Sequence, residues 1–271
     1  DTCDDAICVK TQPQGRSCED VAVTNCVLRT ACVALKLGAN ESFQDMRNVV
    51  MSNCTVRGSH RAIGIYSFNG ATVENVSVDN VVCDTRAALM CTRPIHIDLR
   101  HRDRSRAPGA IRNVRMNGLL ATSNGRCLLT AAPGQMLEDI LLRDVILRYP
   151  CVDDPALSAE RIGGGQFSAE NPWARQERAA LVVENARNLQ IDNFCPRWPT
   201  SPTVPADWTF ARKAANGTQA WFSPADWQLA VDVPFAAVSA RNVQGGCLDT
   251  RNLSGYQGAE PLCEQGCSWE L

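Results

Sequence analysis

One short pattern, in which apolar and polar residues alternate after an Asn or Asp, returns seven times along the chain. Two of its copies are Arg47-Asn48-Val49-Val50-Met51 and Glu74-Asn75-Val76-Ser77-Val78. The first Asn or Asp of each copy is Asp20, Asn48, Asn75, Asn113, Asp139, Asn188 or Asn242. Because side chains on a strand alternate between its two faces, each copy predicts a short β-strand.

A second apolar pair precedes most copies and predicts a second strand in each repeat. These pairs are Ile7/Val9, Val33/Leu35, Ile63/Ile65 and Ile95/Ile97. The first steps of the repeat, from Asp20 to Asn48 and from Asn48 to Asn75, are 28 and 27 residues long. Short strands at this spacing favour an all-β solenoid of parallel coils, in which the recurrent Asn residues stack in left-handed backbone conformation and bond the turn backbone. The alternative is a β-sandwich with an accidental repeat.

Longer steps between the later copies indicate insertions on the coils, at about 101–109, 150–178 and 195–238. We predict one domain over 1–271, with regular coils over about 1–147 and loop-rich coils and a C-terminal segment over about 148–271. The last insertion carries four tryptophans, namely Trp198, Trp208, Trp221 and Trp227. Such side chains either pin long loops against a core or serve as sugar platforms, and we favour the first role.

Stacking the second strands by their apolar pairs places two columns of residues on the opposite face. The first column is Cys8, Ala34, Gly64 and His96, and the second is Lys10, Lys36, Tyr66 and Asp98. Small residues between polar walls are typical of a cleft for a chain-like ligand, whereas a solvated face with accidental charges is the alternative. The predicted substrate-binding residues are Lys10, Lys36, His60, Arg61, Tyr66, Arg93 and His96.

The adjacent aspartates Asp4 and Asp5, just before the first of these strands, are the predicted catalytic residues. Two neighbouring carboxylates separate their pKa values, so that one can act as an acid and the other as a base. Glycoside hydrolysis uses such a pair, and a gap of about 6.5–9.5 Å admits a water and gives inversion. Adjacent aspartates also cap turns, which is the alternative interpretation.

The first coil, Asp1-Thr2-Cys3-Asp4-Asp5-Ala6-Ile7-Cys8-Val9-Lys10, resembles a motif of the polygalacturonases, glycoside hydrolase family 28. The family motif is D-x-G-D-D-x-I-x-I-K, with Cys3 here in place of its glycine. The resemblance extends over about residues 1–145 through the coil repeat. It implies a right-handed parallel β-helix, inverting hydrolysis of a pectin-like polysaccharide (a galacturonan or rhamnogalacturonan), and Asp4 and Asp5 as the acid and base.

Two further motifs of that family are replaced in this chain. G-H-G would fall at Thr30-Ala31-Cys32, and R-I-K would fall at Gly64-Ile65-Tyr66. The nearby cations that can receive a substrate carboxylate instead are Lys36, His60, Arg61 and Arg93. The family's N-T-D coil, with a third carboxylate, would precede Asp1, so we expect a preceding segment or a second chain to complete the β-helix.

The chain contains fourteen cysteines and five Asn-x-Ser/Thr sequons, which bear on where the protein is located. A high, even cysteine count favours an oxidising compartment, so we expect a secreted glycoprotein with disulfides. Cys26 and Cys54 occupy equivalent places in successive copies and predict either stacked thiols or a disulfide between coils. Cys263 and Cys267 predict a local clip.

Charge and hydropathy exclude other classes of partner. The formal net charge is −2, which argues against a nucleic-acid partner, and we expect no membrane partner because no apolar run reaches the length of a membrane-spanning helix. We expect no cofactor and no metal. Two other functions remain open: a non-catalytic carbohydrate-binding or structural β-helix, and a polysaccharide lyase or epimerase in which Lys36, Arg61 or Arg93 neutralises the uronate or acts as the base.

Overall fold

The chain forms a right-handed parallel β-helix, which confirms the fold predicted from the repeat. The computed structural model describes residues 1–85, 92–152, 155, 172–201, 210–213, 219–222 and 233–271. Strands of successive coils pair in parallel, so the repeat in the sequence is a repeat of stacked coils.

Each regular coil contributes one short strand and one long, bent strand. The short strands are β1 (Ile7–Thr11), β4 (Val33–Ser42), β6 (Arg61–Ser67), β8 (Arg93–Leu99) and β10 (Cys127–Ala131). The long strands are β5 (Met46–Ser59), β7 (Thr72–Thr85), β9 (Ala110–Thr122) and β11 (Leu137–Arg148), and in the first coil β2 (Cys18–Thr24) and β3 (Val27–Arg29) take this place. The remaining parallel strands are β12 (Ala179–Arg197), β15 (Ala236–Leu248), β16 (Leu262–Gln265) and β17 (Ser268–Glu270).

Two smaller features lie in the loop-rich half. The helix α1 (Pro172–Gln176) precedes β12, and β13 (Phe210–Lys213) forms an antiparallel hairpin with β14 (Gln219–Phe222). Trp198 stacks on Tyr149, with ring centroids 4.8 Å apart, and its Nε1 donates to the Ser254 carbonyl at 2.6 Å. This Trp therefore has the pinning role that we favoured, whereas Trp208, Trp227 and the side chain of Trp221 lie outside the described residues.

The core follows an uneven alternation along each long strand. In β7, the inward-facing residues Val73, Val76, Val78 and Val81 are at most 2% exposed. Their spacing is two residues, except where Asn75 or Asn80 intervenes and makes it three. Each such Asn has positive φ, which bends the strand and returns the next apolar side chain to the interior.

These bends stack into two polar ladders along the helix. Residues with φ of 50–60° form the first ladder: Asp20, Asn48, Asn75, Asn113, Asp139 and Asn188. The second ladder contains Asn25, Asn53, Asn80, Asp144 and Asn193, with Gly118 in one place. The Asn75 amide donates to Asn48 Oδ1 at 3.0 Å and its own Oδ1 accepts from Asn113 at 2.7 Å, so side chains bond one another between coils rather than the turn backbone that we expected.

A charge ladder runs beside the first asparagine ladder. Arg47 bonds Glu19 at 3.1 Å in the coil before and Glu74 at 2.7 Å in the coil after, and Arg112 bonds Glu74 at 2.7 Å. This accounts for the alternation of Glu and Arg before the Asn or Asp of successive copies. Each exposed pair stabilises the fold by only about 0–1 kcal/mol, but the alternation also disfavours a slip of one coil against the next.

The structure corrects the predicted register at two places. Leu35 pairs with Ile7 and Ile63, so β4 is shifted by two residues, and Lys36 instead of Ala34 stands between Cys8 and Gly64. The second column is accordingly Gly38, Tyr66 and Asp98.

The last copy of the repeat is also displaced. Asn242 donates to Asn185 Oδ1 at 2.7 Å, so it stacks on Asn185 and not on Asn188. Gly245, with φ of 71°, takes the place above Asn188.

The predicted cysteine pairings are not present as disulfides. Cys26 and Cys54 are stacked free thiols, which is one of the two predicted alternatives, and they donate to the carbonyls of Thr24 and Ser52 at 3.2 and 3.1 Å. Cys263 and Cys267 are free as well, so the predicted clip is wrong. In the part of the chain that is described, no helix has the length and apolarity needed to cross a membrane.

Candidate active site

Asp4 and Asp5 lie together where the chain enters β1. One carboxylate oxygen from each and the Cys32 sulfur all lie within 4.8 Å of one another. Asp4 is exposed, whereas the Asp5 side chain is only 9% exposed. We call these two residues the acidic pair, and only its first member faces solvent.

Lys36 neutralises the buried member of the acidic pair. Its Nζ lies 2.7 Å from Asp5 Oδ2, and the Val33 backbone N–H donates to Asp5 Oδ1 at 3.2 Å. Burial alone would lower the pKa of Lys36, but the hydrogen bond and charge of Asp5 outweigh it and raise that pKa above its usual 10.5. Lys36 is therefore a charged ammonium, and Asp5 is held in one orientation.

Asp4 is held by its own backbone and by the neighbouring coil. The Asp5 N–H donates to Asp4 Oδ1 at 2.8 Å, and this bond, followed by one from the Cys32 thiol, lowers the pKa of Asp4 below 3.8. The hydroxyl of Thr30 donates to the Asp4 carbonyl. Asp4 is thus an ionised carboxylate at neutral pH with a fixed position.

The turn at residues 30–32 connects the acidic pair to His60. The Cys32 N–H donates to Thr30 Oγ1 at 2.9 Å, and the His60 N–H donates to the Cys32 carbonyl at 3.2 Å. His60 Nδ1 donates to the Ala31 carbonyl at 3.0 Å, and burial, followed by the charge of Arg61, lowers the pKa of this imidazole well below 6.5. A neutral, fully buried His60 therefore supports the turn that positions Asp4.

Asp4, Asp5 and Cys32 have the spacing of metal ligands, but their protonation opposes a cation. Burial, followed by the charge of Asp5, raises the pKa of the Cys32 thiol to about 11, and a thiol must lose its proton to bind a metal. The Lys36 ammonium already occupies one side of Asp5. These donors fit an acid–base site better than a metal site.

Five of the predicted substrate-binding residues lie, together with Asp98 and Arg100, in a row of buried polar side chains further along the sheet of short strands. Its members, which we call the buried polar row, are His60, Arg61, Tyr66, Arg93, His96, Asp98 and Arg100, and each is at most 4% exposed. Tyr66 Oη lies 3.2 Å from His96 Nδ1, and Arg93 Nη1 lies 3.3 Å from the same nitrogen. Burial, followed by the charge of Arg93, lowers the pKa of His96 well below 6.5, so its 3.8 Å approach to Asp98 is not an ion pair.

Gly64, which lies on β6 among the side chains of the buried polar row, is small for a packing reason. A Cβ on Gly64 would lie 2.6 Å from the Tyr66 ring, so Gly64 makes room for Tyr66 rather than for a ligand. The predicted cleft floor is therefore occupied by a side chain of the protein.

Of the predicted substrate-binding residues, only Lys10 is substantially exposed. Its side chain is 39% exposed and lies 3.6 Å from Glu41. Lys36 meets the acidic pair directly, while His60, Arg61, Tyr66, Arg93 and His96 lie within the buried polar row.

Sequence reasoning missed three side chains of the site. Thr30 and Cys32 contact Asp4, and Arg100 donates through Nε to Asp98 Oδ2 at 2.8 Å. The Asp98-x-Arg100 spacing at the end of β8 was the available signal for the last contact, because residues two apart in extended chain share a face. For Thr30 and Cys32, which lie in a turn without periodicity, the available signal was the alignment of the family's G-H-G motif with Thr30-Ala31-Cys32.

Comparisons with protein-family models, with curated proteins and with solved structures find no match to this chain. The fold and the site together define a right-handed parallel β-helix with an acidic pair, balanced by one lysine, at the start of its short-strand sheet.

Proposed function

We propose that this chain is a secreted glycoside hydrolase, similar to the polygalacturonases, that cleaves a pectin-like acidic polysaccharide by an inverting acid–base mechanism. The observation that supports it is the acidic pair, whose carboxylates lie side by side with one exposed and one bound to Lys36 at 2.7 Å. Two carboxylates in different environments are what glycoside hydrolysis requires.

Asp4 is the base in this proposal. It is exposed and its pKa is lowered, so it remains ionised and can take a proton from a water on its solvent side.

Asp5 is the acid in this proposal, and it donates a proton to the leaving oxygen. The preference for pectin-like chains rests on the resemblance to the polygalacturonases and on Lys10, an exposed ammonium whose charge acts on Asp4 and which can pair with a uronate carboxylate.

The distance between the two carboxylates of the acidic pair bears on whether hydrolysis inverts or retains the configuration of the sugar. The carboxylate oxygens lie within 4.8 Å, while inverting enzymes separate their carboxyl groups by about 6.5–9.5 Å and retaining enzymes by about 5–5.5 Å. Inversion with this pair needs the attacking water on the outer side of Asp4, not between the two carboxylates.

The test is product analysis on polygalacturonate, rhamnogalacturonan and neutral galactan. We expect reducing ends from the acidic polymers, with inverted configuration by proton NMR, and a loss of at least about a hundredfold in kcat for Asp4→Asn and Asp5→Asn. Arg57→Met is the control, because Arg57 is an exposed cation on β5 and is not among the predicted site residues. Unchanged activity in a folded Asp5→Asn variant would sink the proposal, and products that absorb near 235 nm would assign a lyase instead.

A non-catalytic carbohydrate-binding function is the second candidate. It is favoured by the enclosure of Asp5, whose side chain is 9% exposed and bound to Lys36, because only Asp4 of the acidic pair then faces a ligand. Binding of polygalacturonate with no new reducing ends and no absorbance near 235 nm, for the unaltered protein, would assign this function.

A further inference from the structure

The register between β1 and β4 jumps near the end of β1. Val9 pairs with Leu37, whereas Thr11 pairs with Ser42. One residue of β1 therefore lies opposite four residues of β4, numbers 38–41, which we call the bulge. Bulges of this kind are over-represented next to active sites, where they turn a side chain in a new direction.

The bulge requires a backbone conformation that is costly for most residues. Gly38 and Ala39 both have positive φ, of 73° and 83°. A Cβ on Gly38 would collide with the Tyr66 carbonyl oxygen, so only glycine fits there. Ala39 is buried and does carry a Cβ, so its left-handed conformation stores strain that the surrounding structure must offset.

Three hydrogen bonds hold the bulge in this strained shape. Ser42 Oγ donates to the Ala39 carbonyl at 2.7 Å and accepts from the Phe68 N–H at 2.9 Å. Asn69 Nδ2 donates to the Asn40 carbonyl at 2.6 Å. The bulge is therefore a fixed part of the fold, and the backbone of its last residue is fixed with it.

The last residue of the bulge, Glu41, binds the β1 residue that lies opposite, Lys10. Glu41 Oε2 lies 3.6 Å from Lys10 Nζ, and the two side chains are 34% and 39% exposed. The Asp5 N–H lowers the pKa of Asp4 most, and the charge of Lys10 adds to this effect. A carboxylate of the protein thus already binds an exposed cation whose charge acts on the acidic pair.

The charge of Glu41 also acts on the buried side of the site. Burial opposes a charge on Lys36, but the bond and charge of Asp5, with a further contribution from Glu41, raise the pKa of Lys36. A ligand carboxylate that approaches Lys10 would meet the negative charge of Glu41 at short range and be repelled by it. Such a ligand therefore competes with Glu41 for Lys10.

We propose that Glu41 is a competitor of the substrate within the protein: it binds Lys10 in the free protein, and a uronate carboxylate of the polysaccharide displaces it. This rests on the proposed function for the identity of the polymer. An exposed ion pair of this kind is weak, so a substrate carboxylate replaces Glu41 at small cost, and Glu41 displaces the product in turn. A neutral chain has no group that takes the place of Glu41 at Lys10.

The experiment measures binding of a polygalacturonate oligomer in the Asp4→Asn background, so that the ligand is not cut. Glu41→Gln is compared with Glu138→Gln, because Glu138 is similarly exposed, at 36%, and pairs with Arg187 away from the acidic pair. We expect E41Q to raise the affinity for the oligomer about three- to tenfold and E138Q to change it less than about twofold. A neutral galactan oligomer should bind with and without E41Q at affinities within about twofold of each other.

A second measurement follows the Lys10 amine directly. Acetic anhydride modifies amines in their neutral form, and removing a neighbouring carboxylate makes the ammonium easier to deprotonate. Peptide mapping should therefore show faster acetylation of Lys10 in E41Q than in E138Q. The polygalacturonate oligomer should slow this acetylation in both variants, because its carboxylate binds the same ammonium.

Four results would overturn the competition: unchanged affinity in E41Q, an equal gain in E138Q, an equal gain for the neutral oligomer, or acetylation of Lys10 that the acidic oligomer does not slow. Failure of the proposed function gives a different result. In that case, the unaltered protein releases no reducing ends from polygalacturonate, whatever E41Q does to binding.

Discussion

At the scale of single residues, the site depends on one ion pair that two coils share. Asp5 begins the first coil and Lys36 comes from the second, and their side chains are 9% and 8% exposed. A carboxylate taken out of water in this way needs its partner, since an unpaired buried charge is far more costly than an exposed one. Stability and site geometry therefore depend on the same contact.

We predict that Lys36→Met destabilises the protein by about 2–4 kcal/mol, because Asp5 then loses its counter-charge in a mostly buried position. Lys10→Met should cost less than about 1 kcal/mol, since Lys10 and Glu41 are 39% and 34% exposed. Chemical denaturation at pH 7 measures both changes. An equal, small effect of the two substitutions would contradict the role given to Lys36.

We also predict how the effect of Lys36→Met on the free energy of unfolding depends on pH. The native pKa of Lys36 is raised above 10.5, so its contribution to stability is fully present below that value and is lost as pH rises through the native pKa. The gap in unfolding free energy between the unaltered protein and Lys36→Met should therefore shrink above about pH 10.5. A gap that stays constant into that range would speak against the ion pair.

Residue type alone predicted most residues of this site, but it did not predict the contacts between them. Asp4, Asp5 and Lys36 were all predicted as functional, yet the pairing of Lys36 with Asp5 was not. The segment Val33-Ala34-Leu35-Lys36-Leu37 has three inward apolar positions, and a slip of two residues keeps all of them inward. The sequence pattern alone could not choose between the two registers, so it placed Ala34 where Lys36 stands.

At the scale of elements, left-handed residues set the shape of every coil. They divide each long strand into segments and shift the inward spacing from two to three residues, as at Asn75 and Asn80 in β7. The residue in such a place must tolerate positive φ, which Asn, Asp and Gly do best. Gly118, with φ of 70°, shows that the conformation is required even where the side chain is absent.

We predict that Asn75→Ala destabilises the protein more than Asn75→Gly does. Both variants lose the hydrogen bonds to Asn48 and Asn113, but only alanine also pays for positive φ, which adds about 1–2 kcal/mol. Urea unfolding of both variants measures the difference. Alanine and glycine of equal stability would show that the backbone conformation, unlike the hydrogen bonds, is not what selects Asn here.

The repeat made this level of structure the most predictable. Periodic apolar residues and recurrent Asn gave the strands, their parallel stacking and the left-handed positions. The last copy was misplaced, because Arg241-Asn242-Val243 matches both Glu184-Asn185-Ala186 and Arg187-Asn188-Leu189. The Glu184–Arg241 contact at 3.9 Å follows the first alignment, and the insertion before β15 hides this in the sequence.

At the scale of the whole molecule, the sheet of short strands carries the acidic pair at its start and the buried polar row further along. The row joins neighbouring coils through contacts such as that between Tyr66 Oη and His96 Nδ1. We therefore assign the row to stiffening the sheet that positions the acidic pair.

The cysteines are distributed over the whole molecule, and their chemistry follows burial. Cys3 and Cys247 are exposed free thiols, whereas Cys83 and Cys127 are buried in the core. Burial raises the pKa of Cys127 to about 12, and burial together with the charge of Cys127 raises the pKa of Cys83 further. Since the thiolate is the reactive form, burial protects Cys83 and Cys127 both by blocking access and by opposing their ionisation.

We predict that iodoacetamide at pH 8 modifies Cys3 and Cys247 in the native protein and leaves Cys83 and Cys127 unmodified until the chain unfolds. Burial raises the pKa of Cys127 to about 12, so it stays a thiol at this pH, and its side chain has no exposed surface. Peptide mapping by mass spectrometry, with and without guanidinium chloride, measures the difference. Modification of Cys83 and Cys127 at the rate of Cys3 would mean that the coils open far more often than a packed β-helix allows. The same peptide map, made on protein from a secreting host, tests Cys26 and Cys54. A disulfide between them would contradict the stacked thiols described above.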